Sequence, residues 1–298
     1  MARKNRIKKK MDAFTIIVYS MIILYVLSMV YLLCFGFLNS LKHQFDFKSN
    51  KFGFPSAEYG WQFGNYAELF EKFIVPIKPV GQVGRDVYIE EMFLNTILYA
   101  GLMGVFTIAT QVMVAYIVAK HNFVLNKLIY TVAIVVMLIP IVGSLPSQIR
   151  FAQQLGLNNS LLGICIMNCK YPGIYFLVFY AAFKSVPITY SEAAQLDGAS
   201  YFKIFLNIML PMIGSAVAAV FVLYFIQFWN EYQLPMIFLP DYPTISYGLY
   251  FFDNSSDVFI TTPLRLGAAF MSCIPVIILF VMFSKKIMGN VAVGGLKG

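Results

Sequence analysis

The chain has 298 residues, of which 59% are hydrophobic and 12% charged, with a net charge of +8. Soluble domains average about 25% charged residues, so this composition excludes an ordinary soluble enzyme or a string of soluble domains. The excess of Lys and Arg has no nucleic-acid motif beside it; it fits membrane orientation and contact with anionic lipid heads.

Taken in order, residues 1–12 are a basic segment with Arg3, Lys4, Arg6, Lys8, Lys9 and Lys10. About 20 apolar residues span a bilayer, and six stretches qualify: Ala13–Leu38, Met92–Ala119, Leu128–Pro146, Leu161–Phe183, Pro211–Glu231 and Leu266–Ser284. The first run is too long for a cleaved signal peptide and lacks a small-x-small site after it. The expectation is an all-α membrane protein with a six-span domain over 13–284 and a tail over 285–298. Lys120, Lys127, Lys184, Lys203, Lys285, Lys286 and Lys297 fall on the side of the basic start, against Arg150, Arg265 and the long loop 39–91 opposite. The positive-inside rule then places both termini in the cytoplasm.

Loop 39–91 is aromatic, with Phe45, Phe47, Phe52, Phe54, Tyr59, Trp61 and Phe63, too apolar for a simple tether and suited to packing on a partner or the membrane surface. Loop 233–263 carries Asp241, Asp253 and Asp257 and no Lys or Arg. Cys34, Cys165, Cys169 and Cys273 lie in predicted spans and read as small packing residues. Cys165 and Cys169 share a helix face but lack neighbouring ligands for a metal.

The cytoplasmic segment 184–210 has helical grammar. Pro187 stops the fourth span, and Thr189-x-x-Glu192 has the form of a capping box. Ala193, Ala194, Gln195 and Leu196 favour helix, and Asp197-Gly198 ends it in a left-handed turn. A second helix over Ser200–Leu210 puts Phe202, Phe205, Leu206 and Met209 on one face. Pro211 suits the first turn of the next span.

Charged groups within spans are costly and face cavities or partners; Lys170 is the one in the interior of these six, Glu231 standing at the end of the fifth. Lys170 stands beside Asn168 and before Pro172-Gly173, where a helix can open. Gln227, Trp229, Asn230 and Glu231 near the outer end of span five combine amides, a carboxylate and an aromatic face, a mixture suited to sugars or to an interfacial belt. With Asn168 and Lys170 they are the substrate-path candidates. Pro140, Pro146 and Pro275 predict kinks in spans three and six.

Glu192-Ala193-Ala194, Gly198 and Ile208-x-Leu210-Pro211 match the EAA motif of ABC importer permeases at every fixed position and both spacings. Asn65–Phe70, Phe93-x-Asn95-Thr96, Trp229–Tyr232 and the tail Gly294–Gly298 resemble the carbohydrate branch, in particular the second membrane subunit of maltose-type permeases. Segment 73–91 stands out as an insertion relative to that group. The resemblance implies that Glu192, Ala193, Ala194, Asp197, Gly198, Leu210 and Pro211 form a coupling helix and turn that dock on a cytoplasmic ATPase, with Gly294, Gly295 and Lys297 a second contact.

It implies a second, different permease, two ATP-binding subunits, an extracellular solute-binding protein and an oligosaccharide or glycoside as substrate, in a bacterial cell membrane. Tyr250–Val258 stands where that group sends a loop into the binding protein's sugar cleft, with a different sequence. The chain lacks a Gly-x-x-x-x-Gly-Lys-Ser/Thr loop, so ATP and Mg belong to the partners and the chain itself is a transport subunit, not an enzyme. A polyol or glycerol phosphate importer, an ion-coupled transporter and a membrane-embedded enzyme are the rival readings. The last two call for paired intramembrane carboxylates, which these spans lack.

Overall fold

The computed structural model describes residues 12–79, 81, 83–139, 143–169 and 173–291, with side chains described to Ser284. The basic start, Pro140, Lys170, Pro172, Gly294, Gly295 and Lys297 lie outside the described residues, as do the side chains of Lys285 and Lys286. The chain is mostly helical and divides into two units, residues 1–69 with 256–271 and residues 70–255 with 272–298.

The first unit begins with α1 (Ala13–Ser40), apolar on every side and buried only at Asn39 and Ser40. Its end is stitched to the chain that follows. Ser40 Oγ and the Tyr66 hydroxyl are 2.7 Å apart, and Asn65 Nδ2 donates to the carbonyls of Ser40 and Lys42 at 2.7 and 3.1 Å. These bonds satisfy helix-end carbonyls that would otherwise lack partners, which explains the Asn65-Tyr66 pair. His43 caps α2 (Gln44–Ser49) and stacks on Tyr59 with ring centroids 5.0 Å apart. Lys42 is 1% exposed, and its Nζ donates to the Asn50 carbonyl at 2.5 Å. The part of the long loop over 39–69 is therefore folded. An ideal Cβ on Gly267 would lie 3.2 Å from Leu69 Cδ1, so only a minimal side chain lets α15 (Thr262–Val291) pass α3 (Gly64–Lys72) this closely.

In the second unit the segment read as an insertion is a β-hairpin. β1 (Ile74–Ile77) pairs antiparallel with β2 (Arg85–Tyr88), Val75 opposite Val87. Val75, Ile77 and Val87 are buried, the alternation expected of a strand with one covered face. The all-α expectation is corrected at this point.

α4 (Ile89–Lys120) is the central helix, packed by α7 (Leu161–Asn168), α8 (Phe176–Ser185) and α12 (Gly214–Trp229). Its N-terminal part is pinned by Thr96, whose Oγ1 accepts from Ile245 N at 2.7 Å, and by Asn95, whose amide donates to the Pro243 carbonyl at 3.1 Å. Ile245 opens α14 (Ile245–Asp253), and Gly248 meets Met92 Sδ so closely that a Cβ has no room.

Among the described residues, three helices are long and apolar enough to cross a membrane: Ala13–Ser40, Ile89–Lys120 and Thr262–Ser284. A fourth crossing is available to Tyr201–Met212 with Gly214–Trp229, a pair bent by 77°. The remaining predicted spans are broken. α5 (Asn126–Leu138) ends early, and Pro146 lies in the first turn of a new helix, α6 (Leu145–Gln154), rather than kinking a continuous one. α7 and α8 are separate, as Pro172-Gly173 predicts, whereas α15 runs through Pro275.

Candidate functional site: the helical elbow between α8 and α12

After α8, Val186 is extended and Pro187 follows, so the helix stops where expected. α9 (Thr189–Leu196) then begins from Ile188, which is itself helical in its backbone. This overturns the capping box: Thr189 lies inside the helix, and the Ile188 carbonyl receives the amides of Ser191 and Glu192 at 2.9 and 3.2 Å. The turn at its end is as predicted. Gly198 has φ +78°, and the amides of Gly198 and Ala199 bond back to Gln195 and Ala194 at 3.0 and 2.9 Å.

Ser200 caps the next element through the Lys203 amide. The expected single helix over Ser200–Leu210 is instead α10 (Tyr201–Ile204), a π-turn (Phe205–Met209) and α11 (Leu210–Met212). Pro211 belongs to α11, and the bend comes later, at Ile213. The extra residue per turn in the π segment rotates the face: Ile204, Phe205 and Met209 are buried, whereas Phe202 and Leu206 are exposed. The predicted apolar stripe is thus split in two.

Three residues tie this elbow to α4: Tyr116 and His121, to which the sequence reading gave no role, and Lys120, which it counted only for orientation. The Tyr116 ring lies 5.4 Å from Phe183 of α8 and 4.9 Å from Phe205 of the π-turn. His121 meets Tyr201 edge-on at 5.6 Å. The Lys120 ammonium donates to the Val186 carbonyl. The one available signal was their place at the inner end of a span, next to the motif in space but far in sequence. Of the motif residues, Ala194 is buried; Glu192, Ala193, Asp197 and Gly198 are exposed. Leu196 is 90% exposed, and Ile188 and Tyr190 about half exposed, an apolar surface left open by the described residues. Beneath the elbow a cavity of about 520 Å³ is lined by Ile108, Val112, Phe205, Leu210, Phe221 and others.

The path candidates are not gathered into one patch. Trp229 is buried, its Nε1 donating to the Ser272 carbonyl at 3.1 Å, while Gln227 is exposed. Asn230 bonds back to the Ile226 carbonyl at 2.8 Å. α12 ends at Trp229, so Gln227 and Glu231 do not share a helix face. Glu231 Oε1 instead caps α13 (Gln233–Phe238), accepting from the amides of Gln233 and Leu234 at 2.9 and 3.2 Å. Asn168 does reach across, its Nδ2 donating to Thr107 Oγ1 of α4 at 2.9 Å.

One turn along α4, Gln111 Nε2 donates to the Tyr224 hydroxyl at 2.5 Å. Gly173 presses on that pair, an ideal Cβ there standing 2.8 Å from the amide and 2.9 Å from the hydroxyl. Thr107, Gln111, Asn168 and Tyr224 form a polar cluster between helices that the charge count alone did not reveal.

A family model described as "Binding-protein-dependent transport system inner membrane component" matches residues 111–288. The melibiose/raffinose/stachyose import permease protein MelC of Bacillus subtilis (strain 168) is 26% identical over 265 residues, 87% of this chain and 88% of that one. The diacetylchitobiose uptake system permease protein NgcG of Streptomyces coelicolor is 25% identical over 284 residues, 94% of this chain and 88% of that one. Among solved structures, a chain of a bacterial ABC transporter involved in the import of alginate superposes with a TM-score of 0.73 at 21% identity, covering 96% of this chain and 98% of that one. With more than half its length matched by the family model, and with the elbow between α8 and α12 built as above, this chain belongs to the inner membrane components of binding-protein-dependent transport systems.

Proposed function

We propose that this chain is one of two different permease subunits of an ATP-driven carbohydrate importer in a bacterial cell membrane. The cargo follows the relatives, which are named for melibiose, raffinose, stachyose and diacetylchitobiose. In this reading α1, α4, α5, α7 with α8, α12 and α15 make six crossings, with both termini cytoplasmic and 1–12 and 285–298 as inner flanks. An extracellular binding protein delivers the sugar. Of two ATP-binding subunits, holding ATP and Mg, one grips the exposed surface of α9 around Glu192, Ala193 and Leu196, with Gly294, Gly295 and Lys297 as a second contact. Asn168, Lys170, Gln227, Asn230 and Glu231 remain the positions to probe along the path.

The observation that carries the reading is the elbow itself. A short helix with exposed apolar residues, closed by a glycine at φ +78°, is fixed by aromatic contacts to the central helix of the bundle. When nucleotide binding draws the ATPases together, displacement of α9 is passed through Tyr116 and Lys120 to α4, and through the π-turn and the bend at Ile213 to α12. A bistable element biased by a partner is what alternating access requires.

Purification from native membranes in mild detergent tests this. Recovery of an ATPase, a second permease and a sugar-binding protein is the expected result, with the ATPase lost on Leu196→Asp. Recovery of this chain alone, with sugar uptake intact, overturns the reading.

A further inference from the structure

The loop that follows α1 carries aromatic side chains that the transport reading leaves without a role. Phe52 is 82% exposed, Phe45, Phe54 and Phe63 are mostly exposed, and Trp61 is about half exposed. We propose that residues 43–63 are a membrane anchor, an aromatic collar seated in the headgroup layer at the C-terminal end of α1, with Lys48 and Lys51 on lipid phosphates. The inference rests on α1 as a membrane crossing and not on the cargo.

The first argument is depth. α1 has 28 residues, a length of about 42 Å at 1.5 Å per residue. The hydrocarbon core is about 30 Å thick, so an upright helix centred on it leaves about 6 Å at each end among the headgroups. Phe35 precedes Ser40, the last residue of α1, by five positions, which places it about 7.5 Å from the helix end, close to the boundary between acyl chains and headgroups. The Phe52 ring packs on Phe35 with centroids 5.8 Å apart, and Phe35 in turn on Tyr31 at 6.1 Å. The chain therefore leaves α1, turns through α2 and returns to the helix at that depth. Trp61 and Phe63 sit nearer the helix end. Gln62, between them, donates its backbone amide to the Leu41 carbonyl at 2.8 Å, and the two rings stack at 6.1 Å. Aromatic side chains at two levels beside the end of a span are what an interfacial belt requires.

The second argument is charge. Lys48 and Lys51 are exposed and stand between Phe45 and Phe52 in the chain. The carboxylates of the segment are engaged elsewhere: Asp46 is 1% exposed and accepts the Ser56 amide at 3.0 Å, and Glu58 is hydrogen-bonded to the Tyr59 hydroxyl. Lysines with long apolar stems beside aromatic rings suit a phosphate layer lying over an acyl layer. The core of a protein–protein interface is depleted in lysine, so the same mixture does not suit a second permease or a binding protein.

The third is that the collar has a fixed scaffold. Asn50 Oδ1 accepts from Gly53 N and its Nδ2 donates to the Phe54 carbonyl, both at 2.9 Å. These bonds close a turn over 50–54 that contains Phe52, and Lys42 holds the Asn50 carbonyl from the other side. The exposed rings are thus presented by a folded segment and not by a loose one.

Tryptophan fluorescence of the complete importer in lipid nanodiscs provides the test. The wild-type spectrum minus that of Trp61→Phe isolates Trp61 without disturbing Trp229, the other tryptophan of the chain. The spectrum of Phe52→Trp minus that of the wild type isolates position 52. Lipids brominated at the top of their acyl chains are expected to quench position 52 strongly and Trp61 less, whereas acrylamide in the water reaches Trp61 more than position 52. At equal content, brominated phosphatidylglycerol is expected to quench position 52 more than brominated phosphatidylcholine. Lys48→Gln with Lys51→Gln, made in the Phe52→Trp background, is expected to abolish that preference.

Quenching of both positions by acrylamide, with none from brominated lipid, places the collar in water and overturns the anchor. Protection of position 52 from both quenchers means that a protein covers it, and likewise overturns the proposal. Equal quenching by the two brominated lipids before the lysines are changed overturns their contact with phosphates. Sugar uptake by the same importer in vesicles reports on the transport reading separately, so either can fail alone.

Discussion

The rings of Tyr116 and Phe205 lie 4.9 Å apart, joining the C-terminal end of the central helix to the π-turn at the heart of the elbow. Phe205 is only 8% exposed and Tyr116 6%, so the contact is largely buried, with Phe205 also bordering the cavity beneath the elbow. Displacement of the elbow therefore cannot occur without moving α4 or breaking this pair. Phe205→Ala is expected to cost about 3–5 kcal/mol of stability as a buried aromatic deletion. Tyr116→Leu keeps apolar bulk and loses the ring contacts. In the assembled importer it is expected to lower sugar carried per ATP by about tenfold, within the range for coupling energies, with hydrolysis retained. Parallel assays of uptake and phosphate release in proteoliposomes check this; an unchanged ratio would show that motion passes elsewhere.

The turn at Gly198 separates backbone strain from crowding. A Cβ there meets nothing within 4 Å, so substitution acts only through the left-handed backbone at φ +78°. Gly198→Asn is expected to be tolerated, whereas Gly198→Val costs about 1–2 kcal/mol and frees α9 to reorient. Co-purification of the ATPase should survive the first change and fall with the second. Equal retention in both would mean that the turn's geometry does not set the docking surface.

The long spans, the stop at Pro187 and the Gly198 turn were legible because each depends on local rules: length, a missing amide, a permitted φ. The π-turn was not, since Phe205–Met209 carry no sequence mark of it and the wider turn follows from packing Phe205 under Tyr116. The Thr189–Glu192 box failed for a similar reason: Ile188 extends the helix by one residue, so the Thr hydroxyl sits one position too late to cap. Trp229 looked like a surface aromatic because it neighbours Gln227 and Asn230, and only the bundle shows that it points inward to Ser272. The hairpin at 74–88 was hidden by its short strands and by Pro76 within one of them.

Lys42 gives a pH dependence to the first unit. Burial lowers its pKa, and Asp46 opposes that shift only in part. The folded form therefore binds this proton less tightly than the unfolded chain does. Stability is fully present above the ordinary lysine value of 10.5, and is lost progressively as pH falls through the lowered value. Lys42→Met is expected to flatten that slope by removing the proton, at the cost of leaving the Asn50 carbonyl unpaired. Limited proteolysis of 39–69 at pH 7 and pH 9.5 measures it. A cleavage rate equally pH-dependent in the variant would assign the slope to another group.

The last prediction concerns Gly173, where the chain between α7 and α8 crosses the Gln111–Tyr224 bond. Alanine there must displace the Gln111 amide, 2.8 Å from the new Cβ, or the Tyr224 hydroxyl at 2.9 Å. The hydroxyl cannot retreat freely, because the Tyr224 ring is held edge-on by Tyr175 at 5.0 Å and stacked on Phe228 at 5.8 Å. Overpacking of this kind costs about 1–3 kcal/mol, and Gly173→Ala is expected to reduce both thermal stability and uptake. Gln111→Ala removes the nearer obstacle, so the double variant should recover part of the loss despite giving up a buried hydrogen bond. A double-mutant cycle on melting temperature in nanodiscs reads the coupling directly. Simple additivity would mean that the two positions do not touch in the working protein, and that the broken fourth crossing does not rest on this pair.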